Sequence, residues 1–308
     1  MDSKRHIAAI LQAVFVTLLW STSWVLIKFG LRNQLPALTF AGLRYVTAFL
    51  CLIPFVVFNR SERQRIRDLR RSDWFWLAVL GLFVITLAQG AQFLSLAYLP
   101  AAMVSLVLNL TSVVVGVAGI WLIRESPSRL QWVGVGVTVL GVGLYFIPVT
   151  SAGMIGLGLL AAVLGMLSNA ISSLLGRKIN LQDHLSPLAV TFVSMGIGSV
   201  LLLVTGLLTQ GFGHPSLSDW VIIGWLAVVN TAFAFTLWNH TLRTLSAIES
   251  SVINSLIMPQ IALLAFFFLG ETLSIKEMLG LALVAVGVLV VQWRRHREEK
   301  NTPQAGVL

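Results

Sequence analysis

The chain has 308 residues, of which 57% are hydrophobic and only 11% are charged, with a formal net charge of +9. Soluble domains carry roughly 25% charged residues, and a fold of this size must still cover its surface with polar groups, so the composition excludes a soluble protein and predicts an integral membrane protein. The single cysteine, Cys51, lies in an apolar run, which excludes a disulfide framework and a thiolate metal site, and no metal or cofactor is expected.

Ten apolar segments follow one another along the chain, at 7–30, 36–58, 74–97, 100–122, 128–148, 153–175, 187–208, 220–242, 247–268 and 275–293. Each is near the length that crosses ~30 Å of hydrocarbon as a helix. The first is too long for a signal-peptide core and lacks a small-residue cleavage site, so it reads as a retained helix. All ten are apolar all round, whereas barrel strands alternate every second residue. The fold class is therefore an all-α membrane protein with ten transmembrane helices.

Charge placement sets the orientation. Ten spans put both ends on one side, and that side collects 17 of the 21 Lys and Arg residues, including the run Arg60–Arg71, against Arg32 and Lys276 opposite. Both termini are expected in the cytoplasm of a plasma (inner) membrane protein. The basic loop reads as a topology anchor that attracts anionic lipid, not as a nucleic-acid site. The expected partners are the lipid bilayer and a small-molecule substrate.

A shift of 146 residues matches the two halves of the chain. Ser72-Asp73-Trp74 meets Ser218-Asp219-Trp220, Ala101 meets Ala247, Glu125 meets Glu271, Gly134 meets Gly280 and Gly141 meets Gly287. Each half holds five spans, an odd number, so the second copy enters the membrane from the other side. This predicts two inverted five-helix repeats at 1–148 and 149–293, followed by a basic cytoplasmic tail at 294–308. Inverted repeats are a transporter architecture, with the substrate site near the midplane and access alternated by rocking of the halves.

The chain resembles the EamA-type exporters of the drug/metabolite transporter superfamily. The resemblance rests on Trp20-Ser-Thr-Ser-Trp24 with Lys28 behind it, Pro36 to Arg44 opening the second span, Glu125 and Glu271 each before a glycine-bearing helix, and Pro259 upstream of Leu269-Gly270-Glu271. It implies ten helices as two five-helix repeats and export of amino acids or related metabolites.

Polar groups inside spans are either packing contacts between helices or cavity lining. Ser105, Asn109 and Ser112 fall on one face of the fourth span, and Ser251, Asn254, Ser255 and Met258 on one face of the ninth. Close packing explains the serines as well as a cavity does, while the two asparagines favour the cavity. Gln89, Gln92 and Phe93 share part of the third span's circumference, and Phe235, Trp238 and Asn239 occupy the matching positions of the eighth. Trp20 and Trp24 stand four apart near mid-span, where an interface anchor is out of place. Arg44 is expected to meet a substrate carboxylate or to snorkel outward, and Lys28 to snorkel. Pro259, in mid-span, is expected to free the carbonyl of Ser255 and act as a gate, a hinge or an inert bend.

The competing readings rank lower. A carrier for sugar phosphates or nucleotide sugars needs Lys or Arg at depth, and the second half has neither in a span core. An intramembrane hydrolase needs a Ser/His or paired Asp constellation, and the spans hold no Asp and only His240 near an edge. The protein is not expected to be an enzyme. A channel would seldom need two inverted copies.

Overall fold

The computed structural model describes residues 3–111, 113–115, 129–146, 153–180, 185–241, 244–245, 253–254 and 256–301. Among these residues there are helices and turns and no strand. Five helices are long and apolar enough to cross a membrane: His6–Arg32, Ala37–Val57, Arg71–Tyr98, Gly156–Gly176 and Pro187–Gln210. Four shorter apolar helices accompany them, at Ala101–Val115, Trp132–Tyr145, Leu217–Phe233 and Ile257–Leu269. Such segments become helices because lipid offers no partner for a bare N–H or C=O, and only a helix satisfies them all within one segment.

The chain opens with α1 (Ser3–Arg32) and α2 (Ala37–Val57), and then the short polar helix α3 (Arg60–Arg67). Asn59 caps α3 by accepting from the backbone N–H of Ser61 and Glu62. The next span is continuous but changes winding: α4 (Arg71–Gly81), a π-helical segment π1 (Leu82–Leu87), then α5 (Ala88–Tyr98). After α6 (Ala101–Asn109) come α7 (Arg129–Phe146), α8 (Gly153–Asn180) and α9 (Pro187–Gln210). A second interrupted span follows, made of α10 (Leu217–Ala227), π2 (Val228–Phe233) and α11 (Ala234–Thr241). The chain then forms α12 (Ile257–Leu264), a third π segment π3 (Ala265–Leu269), and α13 (Ile275–Asn301). Gly270 ends π3 at φ +68°, a left-handed conformation that glycine adopts without a steric penalty.

The 146-residue shift recurs in these boundaries. It carries the start and end of α4 onto those of α10, the limits of π1 onto those of π2, and the start of α5 onto the start of α11. Asp73 and Asp219, the matched aspartates, also do the same work. Asp73 accepts from the backbone N–H of Arg70 at 2.9 Å, and Asp219 accepts from that of Ser216 at 2.8 Å. Each carboxylate folds back from the third helical position onto an N–H that the helix cannot satisfy.

Glycines let helices approach to backbone contact. A methyl on Gly141 would lie 2.8 Å from the carbonyl oxygen of Gly280, and one on Gly280 would lie 2.8 Å from that of Gly141. Gly287 in turn faces Gly134 and Thr138. The register runs in opposite directions on the two helices, so α7 and α13 are antiparallel and packed through their glycines. Close approach of this kind supplies the packing energy that hydrophobic exclusion does not supply between helices already in lipid. The largest core gathers Ile27, Phe40, Phe93, Leu202, Ile223 and Ile261 from six helices. Large side chains such as Leu208, Phe55 and Phe267 face outward, as a lipid-covered surface requires.

Candidate functional site

One connected set of buried polar groups runs along α1. Thr17, Ser21 and Ser23 are all buried on that helix. Ser21 donates to the side-chain oxygen of Gln260 on α12 at 3.0 Å, and Gln260 donates to the hydroxyl of Thr17 at 3.3 Å. From π2, the amide of Asn230 donates to the Leu19 carbonyl, to Thr22 Oγ1 at 3.2 Å and to Ser23 Oγ at 3.1 Å. Asn230 is completely buried, and its Oδ1 has no hydrogen-bond partner among the described residues. Trp20 lies one residue before Ser21, and its ring centroid is 5.2 Å from that of Trp238 on α11.

Arg44 lies where α2, α5 and π2 meet. Only 6% of its surface is exposed, so it does not snorkel outward. Its guanidinium carbon sits 5.1 Å from the ring centroid of Tyr45 and 5.9 Å from that of Phe93. Nη2 reaches Thr231 Oγ1 at 3.4 Å, while Nε is buried with no hydrogen-bond partner among the described residues. Among the described residues no carboxylate pairs with it. Phe93 itself is fully buried and edge-on to Phe40 at 5.1 Å, so it also forms part of the arginine's wall.

The other expected site residues divide. Gln89 and Gln92 are half-buried on α5, and their side chains make no hydrogen bond among the described residues. Trp24 is half-buried against the largest core. Ser105 is buried and donates to the Ala102 carbonyl of its own helix, and Asn109 donates to the Ser105 carbonyl, both at 2.8 Å. The Asn109 bond uses one of its two N–H donors and leaves its side-chain oxygen available. Asn254 is exposed while Met258 is buried, so the two do not share one environment. Ser112, Ser251 and Ser255 lie outside the described residues, as do the side chains of Phe235 and Asn239. Pro259 is exposed in the first turn of α12. Residue 255, whose carbonyl a backbone N–H at position 259 would meet in a continuous helix, lies outside the described residues.

A second polar group of residues closes the bundle at the C-terminal end of α1. Lys28 donates to the Leu99 carbonyl at 2.5 Å, and Arg32 donates to the Leu269 carbonyl at 2.8 Å. Glu271 accepts from the backbone N–H of Ala101 at 2.8 Å and of Ala102 at 3.3 Å. Its carboxylate thereby caps α6 from across the fold, at the end where the helix dipole favours negative charge. Asn33 donates to Asp219 at 2.8 Å beside them.

Asn230, Thr231 and Gln260 are functional candidates that the sequence did not single out. Intramembrane amides are costly wherever they occur, and that rule alone would have marked Asn230 and Gln260. Neither has a polar counterpart in the first half, where the 146 shift sets them against Val84 and Val114.

Comparison with known proteins decides the family. The EamA-like transporter family matches residues 7–147 and again residues 156–293. The chain belongs to the EamA-like transporter family. Its relatives within or around that family include an "Uncharacterized transporter" of Archaeoglobus fulgidus, 27% identical and covering 96% of this chain and 100% of the relative. The "Uncharacterized transporter YvbV" of Bacillus subtilis is 27% identical, covering 90% and 89%. The "Uncharacterized inner membrane transporter YedA" of Escherichia coli K12 is 24% identical, covering 93% and 92%. A solved structure titled only "Crystal structure of protein" matches with a TM-score of 0.65 and 18% identity over 94% of this chain and 99% of that one, which shows a shared fold. This EamA-like chain is thus a multi-pass membrane transporter.

Proposed function

We propose that this EamA-like transporter exports amino acids or related small metabolites by alternating access, with the substrate held near the midplane between two inverted five-helix halves. The observation that carries the reading is the reciprocal glycine pairing of α7 and α13. Gly141 faces Gly280 and Gly134 faces Gly287, and the 146 shift turns one pair into the other. A contact in which residue i meets j′ and j meets i′ is the mark of a two-fold relation between copies. Because the paired helices are antiparallel, that relation fits halves of opposite orientation in the membrane. The two separate family matches and the coincident limits of π1 and π2 support the same division. The substrate class comes from the resemblance to exporters, and the polar and aromatic groups of α1, α2, α5 and π2 suit a ligand with a polar backbone and an apolar side chain.

The second reading is a carrier for sugar phosphates or nucleotide sugars. The scarcity of buried cations weighs against it, since phosphate dianions need converging Arg or Lys. Liposomes holding the purified protein and loaded with a mixture of L-amino acids and sugar phosphates test both readings. Release of amino acids above protein-free liposomes, with sugar phosphates retained, is expected. The reverse selectivity would establish the second reading and remove the first.

A further inference from the structure

Arg44 is an isolated buried cation. A charge held out of water without a counter-ion costs several kcal/mol in a fold, and interior arginines ordinarily have a carboxylate or several carbonyls as partners. Here the partners among the described residues are two aromatic rings and one hydroxyl at 3.4 Å, which is at the outer limit of a hydrogen bond. The guanidinium is planar, and its Nε and Nη2 donors share one edge, the fork that matches both oxygens of a carboxylate. On that edge, among the described residues, Nε has no partner and Nη2 has only the long contact with Thr231. The rings of Tyr45 and Phe93 flank the guanidinium and restrict its orientation.

We propose that the Nε/Nη2 edge of Arg44 is the binding site for the carboxylate of the transported molecule, which makes the substrate a monocarboxylate with an apolar portion against Phe93. This assignment rests on the transporter reading above and narrows it. A single cation matches a monoanion, whereas a phosphate dianion would leave charge uncompensated, because Lys28, the other cation within the first two predicted spans, is engaged with the Leu99 carbonyl. Thr231 is a positioning residue that holds Nη2 until the substrate replaces it. The same arrangement accounts for a charge that stability alone would not retain, since an apolar residue of similar volume packs at least as well at such a site.

The test uses liposomes loaded with a mixture of L-amino acids, the corresponding amino acid amides and simple monocarboxylates, with release measured by mass spectrometry per folded molecule. The wild-type protein is expected to release acids and retain the amides. Arg44→Met is expected to melt at a higher temperature than wild type while acid release falls about 10- to 100-fold, the loss of a charge-assisted bond pair. Arg44→Lys, which keeps the charge without the fork, is expected to fall between them. A purely structural arginine predicts the opposite pattern: a lower melting temperature for Arg44→Met with undiminished release by the protein that survives. Equal release of acids and amides by the wild-type protein overturns the carboxylate site and leaves the exporter reading standing. Release of none of the solutes overturns the exporter reading, and the site with it. Should Arg44→Met fail to fold, the acid-to-amide ratio of the wild-type protein and the Arg44→Lys variant still decide between a carboxylate site and a structural arginine.

Discussion

Asn230 spends its amide hydrogens on three acceptors of α1, so one side chain ties π2 to the first helix. Hydrogen bonds between helices in a membrane are worth about 0.6 kcal/mol on average and up to about 1.7. Asn230 is fully buried, and removing it would leave Thr22, Ser23 and the Leu19 carbonyl without that donor. Asn230→Leu is therefore expected to destabilise the protein by about 1–2 kcal/mol, read as a lower melting temperature in detergent. Asn254→Leu, at an exposed position, is expected to leave melting nearly unchanged, and equal shifts for the two variants would refute the contrast. Residues of this kind were unevenly legible in the sequence. Arg44 and Trp20 stood out because an intramembrane charge or a mid-span tryptophan is rare enough to be noticed, and Trp238 through its match to Gln92 under the 146 shift. Ser105 and Asn109 share a helical phase, which fixes only the direction of Cβ. The rotamer then lets a short polar side chain bond back to its own helix, as both do here.

At the scale of elements, the spans and their capping aspartates could be read from composition and from the repeated Ser-Asp-Trp, whereas the π segments could not. One extra residue spread over six barely alters a periodicity in segments that are apolar on every side, so π1 and π2 leave no pattern in the sequence. Their common place in both halves makes them features of the repeated unit, and π turns are often found at functional positions. A π bulge accommodates one inserted residue while the flanking α-helical turns keep their facing. Deleting Phe83 from π1 is thus expected to leave a folded, monodisperse protein in which α5 still faces α8. Deleting Leu94 from α5 rotates all that follows by about 100°, and it is expected to abolish folded protein in fluorescence-detected size exclusion. Similar profiles for the two deletions would show that π1 is not an accommodated insertion. The cap that Glu271 places on α6 is a second element-level feature, and caps of this type contribute about 0.5–2 kcal/mol. Glu271→Ala is expected to lower the melting temperature accordingly, with Glu271→Gln losing less because one acceptor oxygen remains.

The whole molecule turns on whether its halves are inverted. Ser72 and Ser218 occupy the same place in the repeated tripeptide, both are exposed, and each lies in the first turn of its helix, α4 or α10. If each half has five spans, these two serines must lie on opposite sides of the membrane despite their identical surroundings in sequence. The cation distribution fixes which is which: Ser72 adjoins the arginine-rich run Arg60–Arg71, and the chain around Ser218 carries no Lys or Arg between Lys178 and Arg243. Positive charge is retained on the cytoplasmic side, so Ser72 is expected inside and Ser218 outside. In a Cys51→Ala background, Ser218→Cys is expected to react with an impermeant maleimide on intact cells, and Ser72→Cys only after the membrane is opened. Labelling of both from outside, or of neither, would mean the halves are parallel. Alternating access by inverted repeats would then have no structural basis, because the glycine pairs of α7 and α13 would no longer relate copies of opposite orientation.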